Sequence, residues 1–134
     1  MKFSLHGKVF RSVANTDNGE VSSETIFKFS QDGNIITAEY AGGKIIAGHI
    51  LATMAENGVL HMRYHHLNHE GEFMLGKCIS TPALLPDGRM KYCENWQWLS
   101  GDLSTGYSEI EEVTMPNPAF ERDAAKARRP STLR

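Results

Sequence analysis

The run Phe27–His66, "FKFSQDGNIITAEYAGGKIIAGHILATMAENGVLHMRYHH", decides the fold of this chain. Asp32-Gly33, Gly42-Gly43 and Asn57-Gly58 interrupt stretches rich in Ile, Val, Phe, Tyr and Thr, and such dipeptides suit the positive φ angles of two-residue hairpin turns. Three tight hairpins in succession make four antiparallel neighbours. Working outward, "NTDNG" near residue 17, "NHEG" near 70, "STPALLPDGR" near 85 and "SGDLSTG" near 103 continue the rhythm, which implies eight strands in a meander. No helix-length amphipathic run occurs before "NPAFERDAAKARR". An eight-stranded meander with no covering helix leaves two bare edges unless it closes, so the expected fold is all-β: a single antiparallel up-and-down barrel. Its expected extent is residues 1–114. Residues 115–134 are expected to form a C-terminal tail or short helix, in which Phe120 docks on the barrel or on a neighbouring subunit.

At 134 residues the chain is one domain, large enough to bury a core. The net charge of −2 is unevenly spread: from Met115 onward five basic and two acidic side chains carry +3, leaving −5 on the body. An acidic body argues against a nucleic-acid surface. "MKFSLHGKVF" has no apolar stretch of signal-peptide length and nothing approaches a membrane span, so a cytoplasmic protein with reduced Cys78 and Cys93 is expected.

Two-residue turns also fix which residues face each other. With the three dipeptides as loops, Phe27 pairs with Ala38, Phe29 with Ile36, Tyr40 with Ile45, Ile36 with His49, Leu51 with Tyr64, and His49 with His66. A four-residue "NHEG" loop sets Phe73 against His66, Leu75 against Tyr64 and Lys77 against Met62. A loop centred between Leu85 and Pro86 sets Trp98 against Phe73, Trp96 against Leu75 and Glu94 against Lys77. The expected lumen residues are Phe27, Phe29, Tyr40, Leu51, Met62, Tyr64, Leu75, Trp96 and Trp98. Glu24, Lys28, Glu39, His61, Arg63, His65, Lys91 and Asn95 fall on the solvated face, where Cys78 and Cys93 lie opposite each other.

Histidine is concentrated in "LHMRYHHLNHEG". On a strand His65 and His66 point to opposite faces, and His61 and His65 stand about 13 Å apart at ~3.3 Å per residue, too far to share an ion. Only His66 enters the lumen, facing His49, and no third ligand is evident at that level. No metal site is expected.

The register places Lys77 and Glu94 opposite one another on the apolar face. Charges there are costly unless paired or answered by a ligand. One reading is a ligand-orienting pair in a cavity walled by Tyr40, Tyr64, Trp96 and Trp98, with His66 nearby. The other is a structural ion pair filling a narrow barrel, and the sequence leaves both open. There is no Walker loop, G-x-G-x-x-G, G-x-S-x-G elbow or C-x-x-C, and "QWLSGD" from Gln97 has Ser100 and Asp102 where an acetyltransferase pyrophosphate loop carries small residues.

The strings "SVANTDNGEVSSETIFKF", "QDGNIITAEYAGGKIIAGHI", "RYHHLNHEGE" and "ENWQWLSGDLSTGYSEIEE" resemble a small family of uncharacterised bacterial β-barrel proteins commonly labelled "N-acetylglutamate synthase". The resemblance runs from about Gly7 to Glu112 and transfers no catalytic residue; its label implies acetyl transfer. The barrel itself resembles calycin, lipocalin-like or avidin-like architectures, which implies a small-molecule binder. Two functions follow. One is a binding module using Tyr40, Tyr64, His66, Lys77, Glu94, Trp96 and Trp98. The other is a small enzyme, an isomerase, a hydrolase or the labelled acetyltransferase, with Glu94 as acid or base and Lys77 or His66 as partner. No cofactor is implied. A small molecule is the expected partner, with no nucleic acid and no membrane, and homo-oligomerisation is left open.

Overall fold

A computed structural model describes residues 4–113. It contains eight strands: β1 (Val9–Asn15), β2 (Ile26–Asp32), β3 (Ile35–Gly42), β4 (Ile45–Met54), β5 (Leu60–Asn68), β6 (Phe73–Leu84), β7 (Met90–Trp98) and β8 (Thr105–Glu112). Each pairs antiparallel with the next, and β8 returns to β1 to close the barrel. The expected fold class therefore holds. None of the described residues is helical. The tail over residues 115–134, with Phe120, lies outside the described residues.

The turns depart from the expected register in instructive ways. Asp32, expected in the loop, pairs with Ile35, so the first loop is Gly33-Asn34 and β2 and β3 slide by two residues; Phe27 meets Tyr40 and Phe29 meets Ala38. An even slide keeps every side chain on its face. At the second hairpin Gly42 pairs with Ile45, and an extra residue is then accommodated as a bulge, so that Tyr40 meets Gly48 and Ala38 meets Ile50. The total shift there is odd, which turns β4 over. Ile50 and Ala52 point inward, while Leu51 is 61% exposed and His49 lies outside. Leu51 is thus an exterior residue, contrary to expectation.

The β4–β5 connection spans five residues, since Met54 pairs with Leu60. That second odd shift cancels the first, and Met62, Tyr64 and His66 face inward as expected. Leu67 pairs with Phe73, which inverts β6 in turn: Met74, Gly76, Cys78 and Ser80 face the lumen. Leu75, expected inside, is 46% exposed, and Lys77 is on the outer face opposite Arg63 and Gln97. The connection from Leu84 to Met90 restores β7, so Tyr92, Glu94, Trp96 and Trp98 are interior. Cys78 is buried and Cys93 lies on the other face, so the two thiols do not face each other.

The two ends of the barrel differ. At one end Leu5, Phe10, Phe29, Ile36, Leu60 and Tyr92 form a solid plug. Phe10 meets Phe29 edge-on at 5.3 Å between centroids, and the Tyr92 hydroxyl donates to the Gly58 carbonyl at 3.0 Å. Towards the other end three inward glycines stand opposite large rings: Gly48 beside Tyr40, Gly76 beside Tyr64, and Gly106 beside Trp96. A Cβ on any of the three would run into the facing ring. The rings therefore lie over bare backbone, and the lumen opens where side chains are missing. Gly76→Ala is expected to cost about 1–3 kcal/mol by forcing Tyr64 off its rotamer. In a Tyr64→Leu background most of that cost should vanish, a non-additivity above ~0.5 kcal/mol in a urea-denaturation double-mutant cycle.

Candidate functional site

The space above the plug is a chamber of about 50 Å³, lined by Asn15, Gly19, Glu20, Val21, Phe27, Tyr40, Ile50, Met62, Tyr64, His66, Cys78, Glu94, Trp96, Trp98 and Ser108. Its walls are aromatic. Trp96 and Trp98, two apart on β7 and so on one face, have centroids 5.4 Å apart, and Trp98 meets Tyr64 and His66 edge-on at 6.2 and 5.9 Å. Tyr40 stacks on Phe27 at 5.2 Å.

The roof is the β1–β2 connection, which folds over the open end and is tied down at several points. The Trp98 indole N–H donates to the Asn18 carbonyl at 3.0 Å, Asn15 Nδ2 donates to the Val21 carbonyl at 2.9 Å, and Glu20 Oε1 meets His66 Nε2 at 2.7 Å. Asn68 Nδ2 also donates to Glu20 Oε2, at 3.2 Å. Burial pulls the His66 imidazole below its usual range, and the hydrogen bond and charge of Glu20 offset this only in part. A neutral ring then donates from Nε2 to Glu20 and accepts the Tyr40 hydroxyl at Nδ1, 2.8 Å away. Tyr40 is left presenting oxygen lone pairs.

Glu94 sits at mid-strand on β7, 8% exposed. Its cross-strand neighbours are Ser80 and Ser108, and both donate to it: Ser108 Oγ at 2.8 Å and Ser80 Oγ at 3.4 Å. Burial pushes its carboxyl up to about 7, against the downward pull of those two hydroxyls. Burial likewise raises the phenols of Tyr40 and Tyr64 and the thiol of Cys78 above their usual ranges, so all three stay protonated at neutral pH. One buried atom stands apart. Asn15 Oδ1 is the buried side-chain polar atom without a hydrogen-bond partner among the described residues. Its orientation is fixed, because Nδ2 of the same amide is committed to Val21.

The sequence-derived candidates Tyr40, Tyr64, His66, Glu94, Trp96 and Trp98 converge on this chamber, and Lys77 does not. The expected Lys77–Glu94 pair is absent because β6 is inverted, and Ser80 occupies the position across from Glu94. The expected facing of His66 and His49 also fails: His66 stands opposite Gly48, while His49 lies beside His65 outside, ring centroids 5.6 Å apart. Sequence reasoning missed Asn15, Glu20, Ser80 and Ser108. Ser108 was within reach, since it alternates with Glu109 on β8; Asn15 and Glu20 border an irregular loop that has no periodicity to read.

Fold and chamber together define a closed up-and-down barrel, plugged at one end and holding an aromatic cluster under a loop at the other. A family model described as avidin-like protein matches residues 3–113, and the chain belongs to that family. No curated protein and no solved structure matches it.

A raised carboxyl pKa stabilises the folded state least where the group is ionised. From about pH 4.5 to 7 native Glu94 holds a proton that the unfolded chain has released, so its contribution falls as pH rises. Glu94→Gln should therefore gain stability relative to the wild type across that window, on the order of 3 kcal/mol by pH 7, in urea denaturation at stepped pH.

Proposed function

We propose that this avidin-like barrel binds a small, partly apolar molecule in the chamber. The observation that carries this reading is a gap in an otherwise filled barrel, walled by Trp96, Trp98, Tyr40 and Tyr64 and lined as well by the buried Glu94 carboxyl and by Asn15, whose amide oxygen has no partner among the described residues. Chambers for drug-sized ligands run to roughly 300–1,000 Å³. A space of about 50 Å³ suits a compound of few heavy atoms, or the end group of a longer one. Entry requires the β1–β2 connection to lift, breaking the Glu20–His66 and Asn18–Trp98 contacts.

A second reading, acid–base catalysis, draws support from Glu94, whose carboxyl near pH 7 is matched to proton transfer at neutral pH. Lys77 has no part in it, and both His66 ring nitrogens are engaged by Tyr40 and Glu20. The readings separate in one experiment. A metabolite library, including acetyl-CoA with glutamate, is screened by tryptophan fluorescence and by mass spectrometry of products. Binding predicts saturable quenching without turnover, at least tenfold weaker in Trp98→Ala. Product formation lost in Glu94→Gln would establish catalysis instead, and no response from any compound would overturn the proposal.

A further inference from the structure

We infer that the chamber is built for an organic cation, a small molecule whose protonated amine docks on Glu94 while its apolar body lies against Trp96 and Trp98. The inference rests on the binding reading above and adds the ligand's chemical class.

Glu94 is the starting point. A carboxylate has about four lone-pair sites. Two are occupied here, by Ser108 at 2.8 Å and more weakly by Ser80 at 3.4 Å, and the Ser80 hydroxyl also lies 3.3 Å from Cys78 Sγ. The serines are neutral donors, and among the described residues no lysine or arginine lines the chamber. A buried carboxylate without a countercharge is costly, and an ammonium group supplies both the charge and N–H donors.

Two further observations point the same way. Asn15 Oδ1 is a buried acceptor with no donor, and its amide cannot flip without setting oxygen against the Val21 carbonyl. Tyr40 spends its proton on His66 and offers only lone pairs. Glu94 and the Tyr40 oxygen at the chamber wall, with the Asn15 amide behind it, therefore make an acceptor-rich lining that calls for N–H groups. The walls agree, because the faces of Trp96, Trp98 and Tyr64 carry negative quadrupole density that attracts a cation and repels an anion. Glu20 at the roof adds a second carboxylate beside the entrance. An anionic ligand would meet two acids and electron-rich rings.

The test compares isosteres on the intact protein. Ethylamine, isoamylamine and phenethylamine are each titrated beside the corresponding alcohol and carboxylate, by calorimetry and by NMR shifts of the Trp96 and Trp98 indole N–H signals. At least one amine should bind tenfold or more tighter than its alcohol, with the carboxylate weakest. In Glu94→Gln that preference should shrink to within twofold while the indole signals still respond to the alcohol. An alcohol binding as tightly as its amine in the wild type overturns the inference, as does a preference that survives Glu94→Gln. The wild-type comparison decides even if the variant fails to fold. If no amine binds but a neutral metabolite from the library does, the cation inference falls and the binding reading stands. Silence in both experiments removes both.

Discussion

An eight-stranded barrel is just wide enough for its inward side chains to fill it, and that geometric constraint governs the rest of this molecule. Whether such a barrel is solid or keeps a small chamber depends on how much its inward side chains fill. Gly48, Gly76 and Gly106 leave room, on β4, β6 and β8 respectively. Each faces a ring on the preceding strand, so the rings of Tyr40, Tyr64 and Trp96 lie back over bare backbone and do not close the lumen. The same constraint explains the other end. There the inward positions carry Phe10, Phe29, Ile36, Leu60 and Tyr92, and the barrel is solid.

Polar groups inside this frame follow a consistent economy. His66, 1% exposed, has both ring nitrogens satisfied, by Tyr40 and Glu20. That arrangement does more than satisfy a buried imidazole: it ties the β1–β2 connection to the barrel wall and makes the roof. Trp98 acts in the same double way, its ring forming wall and its N–H holding Asn18. Glu94 and Asn15 Oδ1 differ from these. Their protein partners are fewer than their capacity, and both residues line the chamber. Buried polar groups in native proteins are hydrogen-bonded with few exceptions, and these two exceptions belong to residues that line one cavity.

The outer face carries the charges expected of a solvated sheet. Lys91 pairs with Glu109 at 3.0 Å across β7 and β8, and Lys8 with Glu112 at 2.9 Å near the β1–β8 seam. Such exposed or half-exposed pairs contribute at most about 1 kcal/mol each, so closure depends on the backbone ladder and the packed interior.

What the sequence determined by itself was the number of strands, their meander order and the closed architecture, because glycine-bearing turns and period-two patterning are local signals. It also placed the inward sets of β2, β3, β5 and β7, including Tyr40, Tyr64, His66, Glu94, Trp96 and Trp98. Two of those placements survived only because odd errors came in pairs: the bulge after Gly42 was offset by the five-residue β4–β5 connection, and β6 was inverted and then restored. Parity within β4 and β6 was set instead by how the strands pair across the barrel. That removed Leu51, Leu75 and Lys77 from the lumen and put Cys78 and Ser80 there. A single extra residue in a turn leaves no trace in composition yet reverses a whole strand, and the partners of Glu94 depend on it. The roof was equally beyond local reading, since Asn15 and Glu20 belong to the site only through contacts with Val21, His66 and Asn68 that form after the barrel closes.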